Sequence, residues 1–544
     1  MWSSNWRETL WSQLCQPWDV LIIGGGITGA GILREASQLG LRSLLVEQCD
    51  FAWGASSRSS KLVHGGLRYL EEGRLKLTRQ AVRERERLLK EGPDLVQPVG
   101  YLFPTYRGSF PGALAYRLIL SLYDLLAGHR DHQHYRAEDF QLLVPHIAHT
   151  GLTGGFRTSE GLIDDARLVL RVLQEATSAG GTALNYVRAE ELLWNGGRVV
   201  GVRLQDQEQD RTAEVYARGV INATGAWTDR LRGQLGAQAR LRPLRGSHLI
   251  FPNWRLPVPQ AVGFPHPLDR RFVCACPWEN VTLVGTTDSD YTRVLDDEPG
   301  IEPEEVAYLM AAVEYRFPTL HLTLDDVIAT FSGVRPVIGA GKTQSAKESR
   351  DHVVWEEQGL VTVTGGKLTT FRLMALDTLK VVRATRPDIA EVNSTRPVLN
   401  AVDVKEPDLQ RLRDTTRRRL QGRYGAYAPD LVRRAQPGEL ELIPGTQMLW
   451  AELRWAAHAE GVVHLDDLLL RRVRLGLVLP NGGKAHLSRI RAICQGELGW
   501  DDARWECEEE RYLALVRTHY SLPHPATIPD WRKMLTAASK KENT

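Results

Sequence analysis

Three glycines and one acid carry the first chemistry legible in this 544-residue chain. Gly24, Gly26 and Gly29 stand in the spacing G-x-G-x-x-G. In that pattern the first glycine permits a tight turn and the second lets the backbone approach a pyrophosphate. The third allows close packing of a helix on a strand. Glu47 follows about 20 residues on, where a carboxylate accepts from ribose hydroxyls and disfavours a 2′-phosphate. Together they predict a site for a dinucleotide, FAD or NAD, with its phosphates on a helix N-terminus. A second near-motif, Gly339-Ala-Gly341-Lys342-Thr343, fails as a phosphate loop because position 336 is Pro, not Gly.

The elements that must position these residues read plainly. Residues 19–23 are an unbroken apolar run, the pattern of a buried parallel strand. A helix is predicted over 30–38, stopped by Gly40, and a second strand over 44–46 ends at Glu47. This is a βαβ opening, and the glycines lie where strand meets helix. Further helices are predicted over 74–90, 110–128, 164–179, 302–316 and 370–383. Strands cluster between 248 and 287, and a hairpin over 353–363 precedes Gly365-Gly-Lys367. After about residue 395 strand signals vanish and Arg-rich helical segments dominate.

The longer motifs narrow the reading. Gly24 to Gly29, followed by Ser56-Ser-Arg-Ser-Ser-Lys61-Leu-Val-His64-Gly-Gly-Leu-Arg68-Tyr69-Leu-Glu71, resembles the FAD-dependent, quinone-linked glycerol-3-phosphate dehydrogenase family. Ile163-Asp-Asp-Ala-Arg167-Leu, Asn222-Ala-Thr-Gly225, Gly285-Thr-Thr-Asp288, Ser332-Gly-Val-Arg335-Pro and Gly365-Gly-Lys367-Leu-Thr-Thr370 follow in the family's order. The resemblance spans residues 19–385. It continues more loosely through Ala451-Glu-Leu-Arg454 and Asp466-Asp467 to Arg472. The His64 block is highly specific, whereas Ala-Thr-Gly is common to many flavoproteins.

The resemblance implies an α/β fold: a Rossmann-like FAD-binding domain with an inserted mixed β-sheet substrate domain and a C-terminal helical domain. The expected segments are 17–105, 155–245 and 325–390 for the FAD domain, 106–154 and 246–324 for the substrate domain, and 395–544 for the helical domain. It implies FAD held by Gly24, Gly26, Gly29, Glu47, Ser59, Ser60, Lys61, Ala223, Thr224, Gly225, Lys367, Leu368 and Thr369. Arg68, Tyr69, Arg335, Arg350 and Lys367 would line a pocket for glycerol 3-phosphate. The chemistry agrees, since a phosphate of nearly two negative charges calls for guanidinium forks or ammonium groups. Oxidation at C2 transfers a hydride to flavin N5 and releases the hydroxyl proton, a task for a base such as His64, with Arg335 polarising the developing alkoxide.

The family passes its electrons to membrane quinone. An α-glycerophosphate oxidase, returning them to oxygen, is the nearest alternative, and a non-catalytic flavin-binding module the next. Residues 110–128 offer a docking element, with Leu114, Leu118, Ile119, Leu122 and Leu126 on one face and Arg107, Arg117, Arg130 and Arg136 nearby. Arg411, Arg413, Arg417, Arg418, Arg419, Arg423, Arg433 and Arg434 add a second basic concentration suited to anionic lipid. The expected setting is cytoplasmic, peripheral to the inner face of the cell membrane, and a homodimer is retained among the expected partners.

Composition sets the outer bounds. Lys plus Arg number 68 against 66 Asp plus Glu, a net +2, which disfavours a general nucleic-acid binder. Six cysteines without a C-x-x-C pair fit a reducing compartment. His129, His132, His134, His146 and His149 cluster without carboxylate or Cys at ligand spacing, so no metal site is expected. No signal peptide and no membrane-spanning run are expected.

Overall fold

The computed structural model describes residues 2, 5–66, 70, 73–108, 112–128, 130–339, 351–385, 388–391, 395–401 and 406–542, the last five by backbone alone. Two sheets and a helical C-terminal region make up the molecule. The first sheet runs Val353–Glu357, Leu360–Thr364, Thr212–Asn222, Trp18–Ile23, Ser43–Val46, Thr182–Leu184. Trp18–Ile23 pairs in parallel with Thr212–Asn222 on one side and Ser43–Val46 on the other. Such a strand is covered on both faces, which is why Val20, Leu21 and Ile22 are fully buried. The helix Ile27–Gln38 starts three residues earlier than expected and packs between the helices Asp165–Ser178 and Phe371–Thr385.

The second sheet is mixed and built around Leu241–Pro252. This strand pairs antiparallel with Ala329–Ile338 over ten residues, Leu241↔Ile338 through Ile250↔Ala329. Val96–Tyr106 and Leu152–Ile163 continue the same sheet, as does Leu62–Val63. The second sheet therefore recruits strands from segments the sequence reading gave to the dinucleotide domain. The reason is pairing: alternating apolar runs show that a strand exists, but not which sheet takes it.

The C-terminal region is joined to the rest by buried charge. Asp50, wholly buried, accepts from Arg472 Nη1 (2.6 Å) and Nη2 (2.7 Å) and from Arg471 Nε (2.5 Å). Asp164 accepts from Arg423 Nη2 at 2.7 Å, and Glu460 from Arg167 at 2.5 and 3.0 Å. Arg419 and Arg423 are buried against Glu279 and Glu452, and exposed Arg433 and Arg434 pair with Asp408, Asp430 and Glu497. Of the expected C-terminal basic concentration, Arg419 and Arg423 are thus turned inward, while Arg411, Arg413, Arg418, Arg433 and Arg434 stay exposed. Exposed charges would have looked the same in sequence.

The helix Ala113–Ala127 also differs from expectation in its faces. Leu114, Leu118, Leu122 and Leu125 are exposed, at 74, 66, 40 and 76%. Ile119 and Leu126 instead pack on Leu70, Val82 and Tyr123. Residues 109–111 and His129 lie outside the described residues. Arg107, Arg117, Arg130 and Arg136 are exposed. Among the described residues no helix is long and apolar enough to cross a membrane. Also among them, no group of three or more His, Cys, Asp and Glu is set to hold a metal, and His132 Nδ1 instead pairs with Asp124 at 2.7 Å.

Replacing one partner of a buried ion pair leaves the other uncompensated, at about 3–5 kcal/mol. Asp50→Ala strands Arg472 in this way, while Arg471 keeps Asp466 and Asp467. Its expected outcome is a fall in the thermal unfolding midpoint of several degrees, whereas Asp408→Ala, at a surface pair, leaves the midpoint within about a degree. Equal midpoints for Asp50→Ala and the native protein in a calorimetric scan contradict the joining role.

Candidate active site

A cavity of about 850 Å³ runs from the end of the strand Ser43–Val46 across the glycine turn and into the second sheet. Gly24, Gly26, Glu47, Ser59, Ser60, His64, Ala223, Thr224, Gly225, Arg335, Lys367, Leu368 and Thr369 all line it. Gly29 lies beneath it. A Cβ there would stand 1.9 Å from Gly24 O, so only glycine lets the helix approach the turn. Gly24 has φ +115, and a Cβ on it would stand 2.5 Å from Ala223 O. Bare backbone is what a pyrophosphate requires, and the volume lies in the range of cofactor sites. Glu47 Oε2 accepts from Gly25 N–H at 2.6 Å and Oε1 from Cys49 N–H at 3.0 Å, holding the acid at the cavity's far end. Burial raises its pKa, against the pull of those amides.

The opposite end is cationic. Arg335 sits on Ala329–Ile338, where Nη2 donates to Thr286 Oγ1 at 2.8 Å and Nη1 lies 3.3 Å from Asp288 Oδ1. It passes over Gly246, where a Cβ would stand 2.2 Å from Nη2. Behind it the buried Glu305 accepts from Thr287 Oγ1 at 2.6 Å and Ser247 Oγ at 2.9 Å, fixing the Thr286–Thr287 corner. Lys367 follows two glycines with positive φ, +76 and +69, that turn the chain into the cavity. The short helical turn Leu368–Thr370 and the helix Phe371–Thr385 start directly after it, aiming free amides at the same space.

His64 is half-buried, its ring edge-on to Tyr101 at 5.9 Å between centroids. Burial first, then the charges of Lys367 and Arg85, push its pKa down to about 3, so the ring is neutral. Ser59 and Ser60 reach the cavity through a loop held from below. Asp165 Oδ2 accepts from Ser59 N–H at 2.9 Å and Oγ at 2.7 Å.

Lys61 departs from expectation. Its ammonium turns away from the cavity, donating to both Asp165 oxygens at 2.8 Å and to Ser57 O at 2.7 Å over the Trp278 and Phe331 rings. It anchors the loop instead of contacting the cofactor. Lys61 precedes the strand Leu62–Val63 with a left-handed φ of +60, and that turn takes its side chain to the buried Asp165 instead of into the cavity. Arg68, Tyr69 and Arg350 lie outside the described residues.

Several residues of the site escaped the sequence reading. Tyr101, Thr286 and Glu160 line the cavity, and His248 backs it, with Nε2 2.9 Å from Ser60 Oγ and its ring stacked on Phe331. Burial pushes the His248 pKa far down. Tyr101, Glu160 and His248 sit inside strands whose apolar pattern hides single polar positions, and Thr286 lies just past the strand Val281–Gly285. Gly285-Thr-Thr-Asp288 alone was marked, as part of the family resemblance.

A glycine-cradled dinucleotide site that opens, opposite Glu47, onto an imidazole and two cations fits a flavin-dependent oxidoreductase. The profile of the FAD dependent oxidoreductase family matches residues 19–372, and that of the C-terminal domain of alpha-glycerophosphate oxidase matches residues 389–505. The chain is 38% identical over 372 residues to aerobic glycerol-3-phosphate dehydrogenase of Bacillus subtilis, covering 67% of each chain. It is 33% identical to glycerol-3-phosphate dehydrogenase 2 of Mycobacterium tuberculosis, covering 94% of this chain and 90% of the relative. The X-ray structure of the Bacillus halodurans glycerol-3-phosphate dehydrogenase, complexed with FAD, superimposes with a TM-score of 0.77. It is 28% identical and covers 95% of this chain and 98% of that one. This chain belongs to the FAD-dependent glycerol-3-phosphate dehydrogenase family, and its cofactor is FAD.

The glycine geometry makes a direct test. Gly29→Ala drives a methyl into Gly24 O, so the variant is expected to purify without flavin absorbance. Gly233→Ala, where a Cβ meets nothing within 4 Å, retains the native flavin content. A fully yellow Gly29→Ala protein overturns the assignment of this turn to the pyrophosphate.

Proposed function

We propose that the protein oxidises sn-glycerol 3-phosphate to dihydroxyacetone phosphate and hands the electrons to a membrane quinone. The observation that carries this reading is the meeting of His64, Arg335 and Lys367 in the same cavity as the glycine turn. Gly24, Gly26, Glu47, Ser59, Ser60, Ala223, Thr224, Gly225, Leu368 and Thr369 would hold the FAD. Bound FAD supplies a two-electron acceptor that takes the hydride from C2 at N5.

The chain's own groups do the rest. Lys367 and Arg335 bind the phosphate and the polarised oxygen, each through charge-assisted bonds that a neutral alcohol would leave unmade. His64 takes the hydroxyl proton. Burial is the first cause of its low basicity and the Lys367 and Arg85 charges the second; a dianion bound at Lys367 offsets part of that second contribution and raises the proton affinity of the ring. Arg68, Tyr69 and Arg350 complete the substrate pocket in this proposal. The leucine face of Ala113–Ala127, ringed by Arg107, Arg117, Arg130 and Arg136, rests on an anionic membrane surface and brings the enzyme to its acceptor.

Anaerobic addition of glycerol 3-phosphate is expected to bleach the flavin, and a lipophilic quinone to restore its colour faster than oxygen does. No bleaching removes the substrate assignment. Faster recovery with oxygen favours an oxidase. His64→Ala is expected to slow bleaching roughly 10²-fold or more, and Lys367→Ala to raise the half-saturating substrate concentration by about tenfold or more. For docking, the native protein should float with anionic liposomes at low salt. Leu118→Glu with Leu125→Glu should remain at the bottom of the gradient. Flotation of that double variant rules out the leucine face.

A further inference from the structure

Behind the cavity, a buried polar cluster grips the backbone that carries His64. Gly65 N–H donates to Glu160 Oε2 at 2.9 Å. Arg85 Nη1 reaches the same oxygen at 3.2 Å and also donates to Ser159 O at 2.7 Å and Tyr123 Oη at 3.0 Å. Tyr123 stands so close that a Cβ on residue 65 would lie 1.7 Å from its Oη. Glu160, Arg85 and Tyr123 are 5, 1 and 2% exposed. They come from three separate elements: the strand Leu152–Ile163 and the helices Leu75–Glu91 and Ala113–Ala127.

Burying an ion pair at this depth costs desolvation that apolar side chains of similar volume would avoid. Here the pair ends on a single amide, through Glu160, next to His64, the one imidazole among the described residues of the cavity wall. Gly65 and Gly66 have no side chains with which to hold the loop, and Gly66 has φ +83. The loop is therefore held from outside.

We propose that Glu160, Arg85 and Tyr123 are positioning residues that fix the His64–Gly65 peptide, so that the imidazole meets the substrate hydroxyl in one orientation. This rests on the reading of His64 as the base. A base must come within about 2.6–3.2 Å of the proton it takes, and a displacement of about 1 Å can cost roughly 10²-fold in rate. The Arg85 charge acts on the same ring, as one of the causes that keep it neutral before substrate arrives. Glu160 lies partly in the cavity wall, but its carboxylate is engaged by Gly65 and Arg85 and its pKa is raised by burial.

The test compares Glu160→Ala, Glu160→Gln and Tyr123→Phe as FAD-loaded proteins, with flavin content and unfolding midpoint checked first. Three quantities are read: the single-turnover bleaching rate, the half-saturating substrate concentration, and the His64 ring signal in histidine-labelled protein, identified by its loss in His64→Ala. Glu160→Ala is expected to bleach about tenfold more slowly at nearly unchanged half-saturation and to shift the His64 signal. Glu160→Gln keeps an acceptor for Gly65 N–H and is expected to recover most of the rate. Tyr123→Phe keeps the ring and loses the hydroxyl, and is expected to slow bleaching about threefold or more.

Native rates in both Glu160→Ala and Tyr123→Phe overturn the proposal, as does Glu160→Gln proving no faster than Glu160→Ala. If Glu160→Ala fails to fold, Tyr123→Phe decides alone. If His64→Ala itself bleaches at the native rate, the reading of the base has failed. The brace is then judged on the His64 signal, and an unmoved signal in Tyr123→Phe refutes it.

Discussion

Asp165 is the residue on which the arrangement turns. It is wholly buried at the start of the helix Asp165–Ser178, and its two oxygens serve the loop and both flanking regions at once. Ser59 donates through backbone and hydroxyl, Lys61 through its ammonium, Ala166 through its N–H, and Arg474 through its guanidinium. A carboxylate taken out of water at this depth is tolerable only when so fully partnered. The same requirement ties the cavity loop to the first sheet on one side and to the C-terminal region on the other. Asp50, Asp164 and Glu460 repeat the pattern around it. The site is thus shaped by charges that never touch the ligand.

This explains the even charge balance of the sequence. Basic and acidic residues are nearly equal in number, and many are spent on one another inside the fold. The eight arginines between 411 and 434 looked like a surface meant for anions, yet Arg419 and Arg423 are buried against Glu279, Glu452 and Asp164, and exposed Arg433 and Arg434 pair with Asp408, Asp430 and Glu497. The cavity keeps its cationic end because Arg335 and Lys367 are turned into it by glycines, at Gly246 in one case and Gly365 and Gly366 in the other.

The sequence was most readable where a backbone constraint forces a residue type. Gly24 and Gly29 could be read because each marks a contact a methyl group would block, and Gly26 because it keeps the spacing between them where the backbone faces the cavity. The strand before them could be read because parallel strands are continuously apolar. Helices over 164–179, 302–316 and 370–383 fell within two residues of those observed. What escaped depends on long-range pairing. Nothing local assigns Val96–Tyr106 and Leu152–Ile163 to the second sheet, turns Lys61 toward Asp165, or brings Glu160 beneath Gly65. Ile119 and Leu126 were given to the wrong face because an apolar helix with leucines all round has no single inward stripe. His248 was invisible, since its neighbours Leu249, Ile250 and Phe251 read only as core.

The pairing of Leu241–Pro252 with Ala329–Ile338 sets where this chain can change in length. The partners are separated by roughly 80 residues of sequence, yet Arg335 enters the cavity only because Leu244 stands opposite it. Side chains alternate along a strand, so one residue inserted or deleted within either partner would turn the guanidinium from the cavity to the other face. The connecting segments do not set that register, but they are not free either: residues 253–260 bury Leu256, and residues 291–301 hold Glu298 on Arg58 and Asp296 on Trp227. Length variation among related chains should therefore spare the two strands. A tag or a label enters more safely at the exposed turn of residues 195–197, where a Cβ on Gly196 or Gly197 meets nothing within 4 Å.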